Sequence, residues 1–203
     1  MAKRGDTIEN PVTRERLTWL DTSNDTNGEL LRFELFVKPG GSAPVSHIHM
    51  KQSKSFEVVT GKMRYRAGEE KVKDLHAGES MTIAPGAPHI RWNPGDEEMR
   101  VIVEFRPALN TETFIENMWG FARDGRKRGG KGIPNMLQLA VWFAGTYEGE
   151  NYLERFPISV QKALFDLLAP IGKRLGYKDW YPEYTDPSEL PGRRSARREE
   201  IAR

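Results

Sequence analysis

The chain has 203 residues, 37% hydrophobic and 30% charged, with 31 basic and 29 acidic residues for a net charge of +2, four histidines and no cysteine. That length can bury one sizeable core. The lack of cysteine excludes a disulfide scaffold, thiolate or iron–sulfur metal sites and a cysteine nucleophile, and the near balance of charge implies no strongly basic face, so nucleic acid is not the expected partner.

No apolar run follows Met1-Ala2-Lys3-Arg4, so no secretory leader is expected. The longest apolar stretch, Leu139 to Ala144, is too short to span a bilayer, and a soluble, cytoplasmic protein is the expectation. From about Leu17 to Pro107 the chain reads as short strands broken by turns. Arg32 to Val37 alternates and stops at Pro39-Gly40-Gly41; Phe56 to Thr60 stops at Gly61; Lys62 to Arg66 stops at Ala67-Gly68; Met99 to Phe105 stops at Pro107. Many short strands with Gly and Pro between them predict an all-β sandwich or barrel.

After Pro107 the period changes to that of helices. Phe114, Ile115, Met118, Trp119 and Ala122 share a helical face, Thr113 and Glu116 have the spacing of a capping box, and Asp124-Gly125 ends the segment. A second helix is expected to open at Pro134 and run to about Gly145; being apolar all round, it should be buried against the barrel or across a dimer interface. A third carries Val160, Ala163, Leu164, Leu167, Leu168 and Ile171 at helical spacing, with a kink or break at Pro170 and a stop at Gly176. The basic run Arg123 to Lys131 reads as a solvated loop, and the charged segment from about Asp186 as a mobile tail.

Histidines 47 and 49 alternate on a strand, which turns both imidazoles to one face. His89 opens a later strand after the turn Pro85-Gly86-Ala87-Pro88. Neutral imidazole is the commonest metal ligand, and three on converging strands can hold Zn, Fe, Mn, Ni or Cu; an isolated pair would more simply be two half-buried histidines.

The setting of these histidines resembles the cupin family. Gly41-x5-His47-x-His49 followed by Phe56 and Gly61 is similar to the first cupin motif, and Gly78-x6-Pro85-Gly86-x2-His89-x3-Asn93 to the second, with Lys62 to Ala77 as a short connection. Further segments resemble a group of bacterial single-cupin proteins that carry the same helical tail. These are Ile8 to Val12, Phe105 to Leu109, Gly132 to Asn135 with Leu137 to Ala140, and Gly176-Tyr177 to Tyr184. The resemblance implies an all-β-dominated chain. A cupin barrel, a jelly-roll-like double-stranded β-helix with an N-terminal strand segment, would fill residues 1–109; a helical extension packed on it, residues 110–185; and the tail, residues 186–203. It also implies a homodimer, a small-molecule substrate, and a divalent metal ion (Fe, Mn, Ni or Zn) at His47, His49 and His89.

One position departs from the family pattern. Where cupins usually carry a metal-binding glutamate this chain has Lys54, and strand parity turns it to the face of Phe56 and Val58. Glu57 falls on the other face and is a poor substitute. Three consequences stand open: a weakened metal site, a lysine neutralised by burial that acts as a base or amine nucleophile, or a lysine that snorkels to the barrel mouth. Arg91 shares the face of His89, where it either joins Lys54 in binding an anionic substrate or pairs with Glu104 across strands. Tyr65 is a third residue expected to shape the pocket; Phe33, Phe56, Met63, Trp92 and Phe105 read as barrel lining, and His76 as a surface histidine. The function expected is that of a metal-dependent oxidoreductase (dioxygenase) or isomerase, with a metal-free binding barrel or metal-free Lys54 catalysis as the alternative.

Overall fold

The computed structural model describes residues 2–43, 45–125 and 134–186. Its elements, in chain order, begin with β1 (Thr7–Asn10), β2 (Glu15–Asp21), β3 (Leu31–Val37), β4 (His47–His49), β5 (Ser53–Thr60) and β6 (Lys62–Ala67). There follow β7 (Lys73–His76), β8 (Ser80–Ile83), β9 (Pro88–Trp92) and β10 (Met99–Arg106). The C-terminal part holds α1 (Thr111–Arg123), α2 (Met136–Phe143), β11 (Asn151–Leu153) and α3 (Ile158–Arg174).

The strands form two antiparallel sheets, one in the order β1-β2-β3-β10-β5-β8 and the other β11-β4-β9-β6-β7. Each strand alternates, and the apolar half of the alternation makes the core. Leu31, Phe33, Leu35 and Val37 of β3, Met99, Val101, Val103 and Phe105 of β10, and Phe56 and Val58 of β5 all turn inward and are buried. Two sheets with inward apolar faces and outward polar ones bury one continuous core between them, the jelly-roll solution to a chain of short strands. Trp92 is the exception among the expected lining residues. His89, Arg91 and Asn93 take the inward parity of β9, so Trp92 falls on the outer face and is only half-buried.

The helical part departs from the sequence reading, or adds what it left open, at four points. The capping box does not form: α1 begins at Thr111 after Asn110, whose side chain is turned to Thr146 O and Glu150, while Thr113 Oγ1 donates to Asn110 O at 2.9 Å and Glu116 is buried. In α2, Asn135 rather than Pro134 does the capping, its Oδ1 accepting from Gln138 N at 3.0 Å. α3 runs undivided through Pro170, an exposed position. Its apolar stripe faces outward: Gln161, Phe165, Ala169 and Gly172 are buried, while Val160, Leu164, Leu167 and Ile171 are exposed. The contact with α2 decides which face is inside, because a Cβ at Gly172 would lie 2.7 Å from Val141 Cγ2, so only glycine lets the two helices approach so closely.

A second core of rings joins α1, α2 and the segment after α3. Phe121 packs edge-on against Trp142 (5.4 Å between centroids) and Tyr181 (4.7 Å). Two links tie this part to the barrel. Gln52, wholly buried, has its Nε2 within 2.7–2.8 Å of Pro107 O, Ala108 O and Thr111 Oγ1 and its Oε1 accepting from Thr111 Oγ1 at 3.1 Å, which locks the start of β5 to the start of α1. On the other side β11 pairs antiparallel with β4, and Arg66 of β6 donates to Glu154 Oε1 at 2.9 Å. No described helix is long and apolar enough to cross a membrane. The Arg126 to Lys131 part of the basic run and the 187–203 tail lie outside the described residues.

Candidate metal centre

Both sequence motifs meet where β4 pairs with β9, in the register His47 opposite His89. Gly41 sets the path into β4: a Cβ there would meet Val37 Cγ1 at 2.7 Å and backbone oxygens of Lys38 and Thr13 at 2.9 Å, so a side chain has no room. The three rings converge, with centroids 4.5 Å apart for His47–His89, 5.0 Å for His47–His49 and 5.2 Å for His49–His89. One nitrogen from each lies within 4.8 Å of the others.

The protonation pattern follows from the partners. Nδ1 of His47 faces Val45 O at 2.9 Å and Nδ1 of His89 faces Ala87 O at 3.2 Å. A carbonyl only accepts, so each Nδ1 carries the hydrogen and each Nε2 presents a lone pair. In His49 both nitrogens are buried without a hydrogen bond. Burial first, and the charge of Lys54 second, hold all three imidazoles neutral, with His47 pushed down to about 3, His89 to about 2 and His49 well below the usual range. Neutral rings fit a divalent ion such as Fe, Mn, Ni or Zn, although at His89 the ion would compete with Lys54 for the Nε2 lone pair; such an ion, when bound, supplies Lewis acidity to a coordinated oxygen.

Lys54 takes the inward position that strand parity gives it and is buried. Its Nζ lies 3.5 Å from His89 Nε2, 4.9 Å from the Phe105 ring centre and 5.2 Å from that of Phe56. Burial, and then the charge of Arg91, bring its amine down to about 7. Snorkelling to the barrel mouth is thereby ruled out. Glu57 is exposed on the outer face and offers the centre nothing.

The partner of Arg91 differs from the expected one. It pairs not with Glu104, which lies on the outer face of β10 beside Arg32 and Arg106, but with Glu15 of β2, a buried ion pair across the barrel. Its Nη2 donates to Glu15 Oε1, whereas Nε and Nη1 are buried with no protein partner. Tyr65 stands opposite Arg91 in the β6–β9 register and is buried in the core. Asn93 does not approach the histidines: its Nδ2 donates to Val37 O and Glu97 O at 2.8 Å and its Oδ1 accepts from Gly95 N, so it shapes a turn. His76 is exposed on β7, as expected.

Two neighbours of the site were missed in the sequence. Glu15 was legible, since Glu15, Leu17 and Trp19 alternate and must share the inward face. Asn151 of β11, opposite His49 in the β4–β11 register, carries no signal of its own.

A two-sheet antiparallel barrel with three converging histidines that could hold a metal ion is the class of structure the fold and site define. Residues 33–105 match the family model of the cupin domain, and the barrel is that of the cupin superfamily. Similar solved structures include an RmlC-like cupin from Shewanella frigidimarina, 25% identical over 50% of this chain and 83% of that chain, TM-score 0.43. A predicted oxalate decarboxylase from Thermotoga maritima is 16% identical over 46% of this chain and 80% of that chain, TM-score 0.43. KdgF from Halomonas sp. is 16% identical over 50% of this chain and 87% of that chain, TM-score 0.44. No curated protein matches the chain.

Proposed function

We propose that this cupin is a metal-dependent enzyme of the dioxygenase or isomerase class, acting on a small anionic molecule inside the barrel, with His47, His49 and His89 as metal ligands. The observation that carries this reading is the convergence of three neutral imidazoles whose Nε2 lone pairs, at His47 and His89, are set by backbone carbonyls. Lys54 and the unengaged Nε and Nη1 of Arg91 supply buried donors for a carboxylate or enolate, and Tyr65 lines the wall beside Arg91. Lys54, with its amine near neutrality, is also the residue suited to move a proton at the substrate. Phe33, Phe56 and Phe105 keep water from these groups, which strengthens each polar contact.

One observation favours a second reading. The Lys54 amine is within hydrogen-bonding reach of the His89 lone pair that an ion would use, which is the arrangement of a metal-free binding barrel. Metal analysis of protein purified without chelator separates the two. The enzyme reading requires about one ion per chain, as purified or after incubation with Fe, Mn, Ni and Zn; no bound ion in any of these overturns it in favour of the second.

The working unit proposed is a homodimer joined through α3. Val160, Leu164, Leu167, Leu168, Ile171 and Leu175 follow one another at intervals of four, three, one, three and four residues, a spacing that reads the same in both directions. A two-fold axis between Leu167 and Leu168 sets Val160 of one copy beside Leu175 of the other and Leu164 beside Ile171, the self-complementarity an isologous interface requires. Lys162 and Asp166, 3.7 Å apart, fall on another face of the helix, so the pairing buries neither charge.

A further inference from the structure

Among the described residues, β11 brings the C-terminal part of the chain to the histidine cluster. β11 adds itself to the edge of β4, the strand that bears His47 and His49, in the register Asn151 opposite His49 and Leu153 opposite His47. Met50 N donates to Glu150 O at 2.9 Å and Gly86 N donates to His49 O at 2.8 Å, so the backbone around His49 is held from both sides. The side chains show a matching gap. His49 is buried with neither ring nitrogen hydrogen-bonded, and Asn151, 7% exposed, has a buried Oδ1 with no hydrogen bond. Residues directly opposite each other on antiparallel strands turn their side chains to one face as neighbours, as Asn151 and His49 do.

The other two histidines show what is missing. Each has its Nδ1 held by a backbone oxygen, from Val45 and from Ala87, and so has one defined tautomer and a fixed ring. No carbonyl does this for His49. An acceptor beyond the ligand fixes which nitrogen is free and how the ring is aimed, and losing such an acceptor typically costs about 10–100-fold in metal affinity.

We infer that Asn151 is the positioning residue of His49: its Oδ1 accepts the His49 ring hydrogen when the centre is ordered, fixing the tautomer and aiming the other nitrogen at the ion. The C-terminal extension is then part of the site, completing from outside residues 33–105 a centre that the cupin domain alone leaves with one unanchored histidine. For its metal arm this rests on the three-histidine reading; its tautomer arm does not.

The test uses the full chain, labelled with 15N-histidine and freed of metal, as wild type, Asn151→Leu and Asn151→Asp. Long-range 1H–15N correlation spectra report the tautomer of each histidine. Wild type and Asn151→Asp should show a single His49 tautomer, and Asn151→Leu a mixture or the opposite one, with His47 and His89 unchanged in all three. Titration with Mn, Ni or Zn should give about 10–100-fold weaker binding for Asn151→Leu and recovery to within about threefold for Asn151→Asp. A merely structural role for β11 would lower the thermal midpoint of both variants and leave the His49 tautomer alone. An unchanged tautomer in Asn151→Leu overturns the inference. Wild type that binds no metal sinks the three-histidine reading, and the tautomer result then decides the role of Asn151 by itself.

Discussion

Lys54 Nζ stands 3.5 Å from Nε2 of His89, in a wall of Phe56 and Phe105 where no salt bridge reaches it among the described residues. A cation and a metal ion cannot share that lone pair cheaply: the ammonium repels the ion, and the ion lacks the anionic ligand that a carboxylate would have supplied. The balance between them is what the substitution of lysine for the usual glutamate controls.

Exchanging the charge tests this directly. Lys54→Glu should tighten Mn or Ni binding at least tenfold, since it removes a repelling cation and adds an oxygen ligand in the same inward position. His89→Ala should abolish it. Isothermal titration of the two variants and wild type gives the comparison.

Stability should depend on pH through the same groups. The folded amine of Lys54 sits at about 7 against 10.5 when free, so between these values the unfolded chain binds more protons and stability rises with pH. Lys54→Met should flatten that rise and be more stable than wild type near neutrality. Urea denaturation at intervals from pH 7 to 10 measures both.

At acid pH two opposed terms act. The three imidazoles are held below 6.5, so the unfolded chain takes up their protons first and stability falls as pH drops below about 6.5. Glu116 is pushed up to about 7 by burial, so the folded chain keeps its proton and stability falls as pH rises from 4.5 towards 7. Glu116→Gln should therefore make the acid loss steeper, read as the slope of unfolding free energy between pH 4.5 and 6.5.

The Arg91–Glu15 pair should behave as a buried ion pair. Arg91→Met leaves a buried carboxylate without its cation and should cost about 3–5 kcal/mol, whereas Arg91→Met with Glu15→Met should recover most of that loss. Chemical denaturation of the two variants shows the non-additivity.

The α3 face gives a prediction about assembly. Leu167→Asp, at a position 68% exposed, should turn a dimer into a monomer by sedimentation while the monomer keeps its circular dichroism spectrum. Wild type that sediments as a monomer removes the proposed interface.

Much of the site was legible in order of residues alone. The period of two fixes which side of a strand each residue takes, so the convergence of His47 with His49, the inward turn of Lys54 and the outward turn of Glu57 follow from spacing once the strands are recognised. The helices were legible as helices, yet their faces were not. In α3 the hydrophobic stripe and the buried stripe differ, because packing against α2 is decided by the small Gly172 rather than by the leucines.

By itself, then, the sequence determined an all-β part and the face each strand residue takes, through local period and turn chemistry, while the three-histidine set and the lysine in place of a carboxylate were legible through the resemblance of its motifs to those of cupins. Only the tertiary structure decided which partner Arg91 takes, that Asn151 lies against His49, and that the leucines of α3 face outward. Arg91 and Glu15 are 76 positions apart in the chain, and Asn151 comes from a short strand set among helices. Such contacts depend on how sheets close and which edge is left open, and no local pattern records that.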